Sequence, residues 1–287
     1  MKSFFRAVRT GAIALALTYA ANASAEPERL TLGVFPGVES GQADSYQILN
    51  RYLPLAKYLS GKTGTEVLLL PVKFPDTAMT QMAQGKTSYK LFFGPPVFAS
   101  DAIKKADFLP VAVEQERIRG AFVVKSDSKL RDIKDFSPTT RIAMPTPKLL
   151  LTILANETLA SQKIILDPSA RQHLTSTDGI VMSLDNAMAD VAVMRDRAAA
   201  KLVAENPTRY RVVGQTVDAP GFALIAHKSV SESTRAKVRQ AALALYGDPS
   251  PAAAEAREGL KTSPFVAGQD NEFAALQRMM DTWRPAN

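Results

Sequence analysis

Apolar and polar positions change period repeatedly along the chain, and the changes divide it into short strands and longer helices. Arg29 to Phe35 is mostly apolar and ends at Pro36-Gly37, which predicts a strand running into a turn, with a polar, Gly-containing loop over Val38 to Ala43. Between Tyr46 and Leu59 the positions Leu49, Tyr52, Leu53, Ala56 and Leu59 recur at helical spacing. Pro54 is expected to kink or restart that helix, and Gly61 and Gly64 to close it. Val67 to Leu70 reads as a buried strand, and Asp76 as the N-cap of a helix over Thr77 to Gln84. Leu91 to Phe93 is a further strand that stops abruptly at Gly94-Pro95-Pro96 and hands over to a helix over Val97 to Ala106. Strands alternating with helices predict a mostly parallel sheet with helices on both faces, whose strand C-terminal edge is where ligands sit.

The alternation continues. Strands are expected over Leu109 to Val113 and Ala121 to Val124, and a short helix over Lys129 to Phe136. A strand over Arg141 to Met144 turns at Pro145-Thr146-Pro147 into a helix over Lys148 to Ala160. His173 to Thr175 reads as a strand, Asp178 as the cap of a helix to about Ala189, Val191 to Met194 as a strand and Arg195 to Glu205 as a helix. Tyr210 to Val213 and Phe222 to Ala226 are strands, and helices fill Glu232 to Tyr246, Pro251 to Leu260 and Asn271 to Trp283. Lys125 to Ser128 and Val217 to Gly221 look like two crossings between lobes. They divide the chain into a first lobe of residues 26–125 and 218–287 and a second of residues 126–217.

The first 25 residues stand outside this pattern. Lys2, Arg6 and Arg9 precede an apolar run from Gly11 to Ala21 and the small residues Ala23-Ser24-Ala25, which predicts a secretory signal peptide cleaved after Ala25. The run falls short of the about 20 residues that cross a bilayer, so no stable membrane insertion is expected after cleavage. Removing those three basic residues lowers the formal charge from +7 to +4. That mild balance, without a basic run interleaved with aromatics, gives no sign of nucleic-acid binding. The chain has no Cys and two His, which excludes disulfides, cysteine catalysis and thiolate metal sites and leaves a histidine-rich metal site unexpected. No cofactor is expected. There is no nucleophile elbow, zinc-protease helix motif or phosphate-binding loop, so nothing points to an enzyme.

The order of motifs resembles the periplasmic solute-binding proteins of phosphonate/phosphite ABC transporters, a branch of the type II periplasmic-binding-protein fold. It is carried by Leu32-Gly33-Val34-Phe35-Pro36, Pro54 to Ser60, Gly85-Lys86, Phe92-Phe93-Gly94-Pro95, Gly120 to Val124, Met188 to Ala192 and Ala219-Pro220-Gly221-Phe222. The resemblance implies two α/β lobes that close on a small polar, anionic ligand, a membrane permease as partner, and a periplasmic location. An exported sensor that touches a signalling receptor shares the same sequence features.

The resemblance also implies site residues. Phe74 and Phe93 fall where the family places cleft-wall aromatics, core packing being the alternative for each. Thr146 and Lys148 open a helix, where orphan N–H groups favour an anion. Two prolines there remove backbone donors, leaving the Thr146 hydroxyl and the Lys148 ammonium. Thr177 falls near a ligand-contact position, and Arg195 ends a strand, where it either meets the ligand or pairs with Asp196. Ser40 lies in the loop after the first strand, a cleft-facing place in this fold, an ordinary polar loop being the alternative.

Overall fold

The computed structural model describes residues 29–37, 44–86 and 88–284. The signal-peptide reading, the loop containing Ser40, and Thr87 lie outside them.

Two sheets organise the chain. The first contains β1 (Arg29–Val34), β2 (Glu66–Pro71), β3 (Tyr89–Gly94), β4 (Phe108–Glu114), β10 (Ala223–His227) and β11 (Phe265–Ala267), in the order β11-β4-β10-β3-β1-β2. The second contains β5 (Gly120–Lys125), β6 (Ile142–Pro145), β7 (Arg171–Leu174), β8 (Val191–Arg195) and β9 (Tyr210–Gln215), in the order β7-β6-β8-β5-β9. Within the first sheet β1 to β4 share one direction and β10 and β11 oppose it. In the second, only β5 opposes its neighbours.

The helices are α1 (Ser45–Thr63), α2 (Pro75–Ala83), α3 (Pro96–Lys105), α4 (Leu150–Ser161), α5 (Thr177–Asp185), α6 (Asp196–Glu205), α7 (Glu232–Ala244), α8 (Pro251–Leu260) and α9 (Asp270–Trp283). They cover both faces of each sheet. Alternate residues of β1 make the reason plain. Leu30, Leu32 and Val34 point into one cluster with α1, α7 and α8, while Phe35, just past the strand, joins α2 and α3 on the other side. In the second lobe Phe122 and Val124 face α4, while Ala121 and Val123 face α5 and α6.

Several expectations change. Pro54 lies inside a continuous α1, which Gly64 closes as expected with φ 69°, while Gly61 is helical. An interior proline costs roughly 3 kcal/mol. Burial of Leu55 and Leu59, at 2% and 0% exposure, recovers about 1.5–3 kcal/mol each, so packing carries the helix through. Phe74, not Asp76, is the N-cap of α2, and Ser176, not Asp178, caps α5 by accepting from the Gly179 N–H. The helix expected over Lys129 to Phe136 shrinks to a single 3-10 turn, Ile133–Asp135, capped by Asp132. Strand β11 is an addition.

The placement of β5 matters most. It pairs on one side with β8 and on the other with β9, so it is part of the second sheet. The chain therefore crosses before Gly120, not at Lys125 to Ser128, and returns after Gln215.

Candidate functional site

The crossing fixes where a ligand site can form. β4 runs its C-terminus into the first crossing and β9 runs its C-terminus into the second. Strands parallel to each therefore present their C-terminal ends to the same gap. At the crossing, Ile118 and Ala219 form an antiparallel bridge, with N–H···O distances of 2.9 and 3.0 Å. Asp218 is gripped from both sides, by Arg117 Nε at 2.8 Å and Arg119 Nη2 at 3.2 Å. Burial works against ionisation of Asp218, but the two guanidiniums overcome it and hold the carboxyl below its usual range.

Glu114 ends β4 on the first-lobe side of the crossing. It is 9% exposed, and its Oε2 accepts the Phe222 N–H at 3.1 Å. Gly221 makes room for it, since a Cβ there would lie 2.5 Å from Glu114 Cβ and 2.7 Å from the Glu116 carbonyl oxygen. Burial pushes the Glu114 carboxyl up, against the Phe222 hydrogen bond and the fields of Arg195 and Arg197 from the second lobe. Phe222 stands beside it, and a Cβ on Gly37 would touch the Phe222 ring tip at 3.3 Å.

Close enough to act on Glu114 is the end of β8, with β6 beside it in the sheet. Arg195 closes β8 with its side chain 19% exposed, and its Nε donates to Asp196 at 3.2 Å. No other hydrogen bond engages its guanidinium among the described residues. Arg197, on α6, holds Glu116 of the first crossing in a fork, with Nε donating at 2.6 Å. At the end of β6, the Pro145 carbonyl accepts from Thr152 Oγ1 and lies against His173 Nδ1, each at 2.7 Å, which pins the following turn. That turn, Thr146 to Leu149, leads into α4, whose first N–H groups receive no side-chain cap.

The sequence-derived candidates separate on this frame. Arg195, Thr146 and Lys148 lie at strand ends that border the gap, with Thr146 half-buried and Lys148 exposed. Thr177 is exposed on the first turn of α5, at the end of β7, the outermost strand of its sheet. Phe74 is 72% exposed at the end of edge strand β2. Phe93 is a correction. It is 1% exposed and enclosed by Tyr52, Phe222 and Phe265, with ring centroids 6.0, 5.8 and 6.1 Å away, so it is core and not cleft wall. Glu114, Glu116, Arg197 and Phe222 were missing from the candidates. Among the described residues no group of His, Asp or Glu is arranged to hold a metal ion, and no helix is long and apolar enough to cross a membrane.

A family model described as "ABC transporter, phosphonate, periplasmic substrate-binding protein" matches residues 40–273. No curated protein matches the chain. Among solved structures, XAC2383 from Xanthomonas citri bound to chloride ion is similar with TM-score 0.68 and 13% identity, over 88% of this chain and 99% of that one. PhnD1 from Prochlorococcus marinus in complex with methylphosphonate has TM-score 0.63 and 12% identity, over 90% and 98%. The periplasmic aliphatic sulphonate binding protein SsuA from Escherichia coli has TM-score 0.54 and 16% identity, over 90% and 92%. At these identities the likeness is one of fold, that of type II periplasmic binding proteins.

Proposed function

Because the chain belongs to the family of periplasmic substrate-binding proteins of phosphonate ABC transporters, we propose that it captures a small organic oxoanion between its lobes and delivers it to a membrane permease. Proteins of this family bind and hand over their substrates; they are not enzymes. The observation that carries the ligand class is Arg195. Its guanidinium ends a strand at the gap, is mostly buried, and spends only its Nε on a protein partner. A guanidinium with free terminal donors grips phosphonate or sulfonate oxygens in a fork, each bond being charge-assisted.

Thr146, Lys148 and the first N–H groups of α4 complete the anion side, with Thr177 and Phe74 at the rim. The carboxylates of Glu114, Glu116 and Asp196 offset Arg195 and Arg197. With Lys148 the site is close to neutral before a ligand enters, a balance that favours a singly charged sulfonate or monoanionic phosphonate over a dianion.

Thermal unfolding with methylphosphonate, ethanesulfonate, acetate, phosphate and neutral amides tests this. A ligand at 100 times its Kd stabilises by about 2.7 kcal/mol. Arg195→Ala is expected to abolish the shift, and Arg195→Lys to retain part of it. A neutral solute that stabilises where no anion does overturns the ligand class.

A further inference from the structure

Helix α9 is anchored in the first lobe, where Phe273 is buried against α3 and polar contacts reinforce it, and it packs on the second lobe mainly through apolar side chains. Toward α3, Ser100 Oγ donates to the Phe273 carbonyl at 3.1 Å, Lys104 holds Asp281 at 2.8 Å, and Arg284 reaches the buried Asp101 at 2.6 Å. Arg117 of the crossing strand holds Glu272, in the first turn of α9, at 2.7 Å. On its other side Leu276 and Met280 share one buried cluster with Leu151 and Leu154 of α4 and with Ile118 of the crossing, none more than 7% exposed. A hydrogen bond joins the lobes at the end of this cluster: Trp283 Nε1 donates to Glu157 Oε2 of α4 at 2.7 Å.

The two kinds of contact behave differently when the lobes turn. Apolar burial is non-directional, so α9 can slide on α4 with little loss. An indole N–H on a carboxylate is satisfied over a narrow range of distance and angle. The helix it holds, α4, is also the one that follows the Thr146–Leu149 turn at the gap. From this geometry we propose that α9 is a strap that sets the angle between the lobes, and that the Trp283–Glu157 hydrogen bond is its catch. The inference goes beyond the ligand reading and does not depend on it.

The absence of cysteine lets spin labels report on the angle cleanly. Ala200→Cys on α6 and Gln240→Cys on α7, both exposed, put one label on each lobe. In ligand-free protein, the interlobe distance distribution of the otherwise unchanged chain should be narrow. Trp283→Phe, which keeps a ring in the cluster, and Glu157→Ala should each raise the population at other distances at least about tenfold, the worth of one hydrogen bond to a charged group. Glu66→Ala, which breaks an exposed ion pair with Arg29 on the edge of the first sheet, should leave the distribution unchanged. The catch is overturned if either Trp283→Phe or Glu157→Ala, folded by circular dichroism, keeps the original distribution. It is equally overturned if Glu66→Ala broadens it as much.

Discussion

Glu114 is a carboxylate held where water is scarce, and one backbone N–H with two guanidiniums across the gap do not fully offset that burial. Its carboxyl therefore titrates above the unfolded-chain value. The native state binds this proton more tightly than the unfolded chain does, so stability falls as pH rises from the ordinary Glu range through the raised value. Glu114→Gln keeps an acceptor for the Phe222 N–H and removes the titration. Its melting temperature is expected to lose this downward slope, which melting curves across pH 4 to 8 would show. Phe93 is the opposite case, a residue whose family position suggested ligand contact and whose ring is packed on three sides. Phe93→Ala should cost about 3–5 kcal/mol by denaturant unfolding, while a ligand's affinity for the folded fraction stays unchanged. Neither environment was legible in the sequence. Glu114 ends a strand that reads as a plain apolar run, and only Gly221, read as a turn residue, marks the close approach. Phe93 sits beside a Gly-Pro turn that does face the gap, but strand alternation turns its side chain inward.

Among the elements, the long periodic ones were legible. α1, α8 and α9 match their expected spans to within a few residues because each buries one stripe against a sheet or a neighbouring helix. The true start of α1 carries a reciprocal cap: the Asp44 carboxylate accepts from the Gln47 N–H at 2.8 Å, and the Gln47 side chain accepts from the Asp44 N–H. Asp44→Ala should lower stability by about 1 kcal/mol in chemical unfolding, without altering the spectrum of the folded protein. Short elements were less legible. The segment Lys129 to Phe136 has helical spacing, yet Asp135 spends its carboxylate on the Arg131 and Asp132 N–H groups, and that closed turn replaces a helix. β11, three residues long, pairs with the edge of β4 and has no period to read. The allegiance of β5 lay beyond local pattern altogether, because its partners β8 and β9 are at least 65 residues downstream.

At the scale of the whole molecule, the two lobes meet at a crossing stapled by Asp218 between Arg117 and Arg119. The depressed carboxyl of Asp218 contributes stability that is present above the ordinary Asp range and disappears as pH falls through the lowered value. Asp218→Asn should therefore flatten the acid limb of the stability profile. It should also speed hydrogen exchange at the Ile118 and Ala219 amides, which bridge the two crossing strands.

The position of β10 has its own consequence for how the chain acquires its structure. It lies between β3 and β4, yet arrives more than a hundred residues after both. Until Ala223 to His227 is in place, β3 and β4 have no shared neighbour and the first sheet is split in two. The second sheet, by contrast, is built from one uninterrupted stretch, 120–216, whose ends need not wait for anything. Closing the longer loop is the slower step. Pulse-labelled exchange during refolding should find β5 to β9 protected before β3 and β4. The half of the molecule made from two separated stretches of chain is thus the last to close.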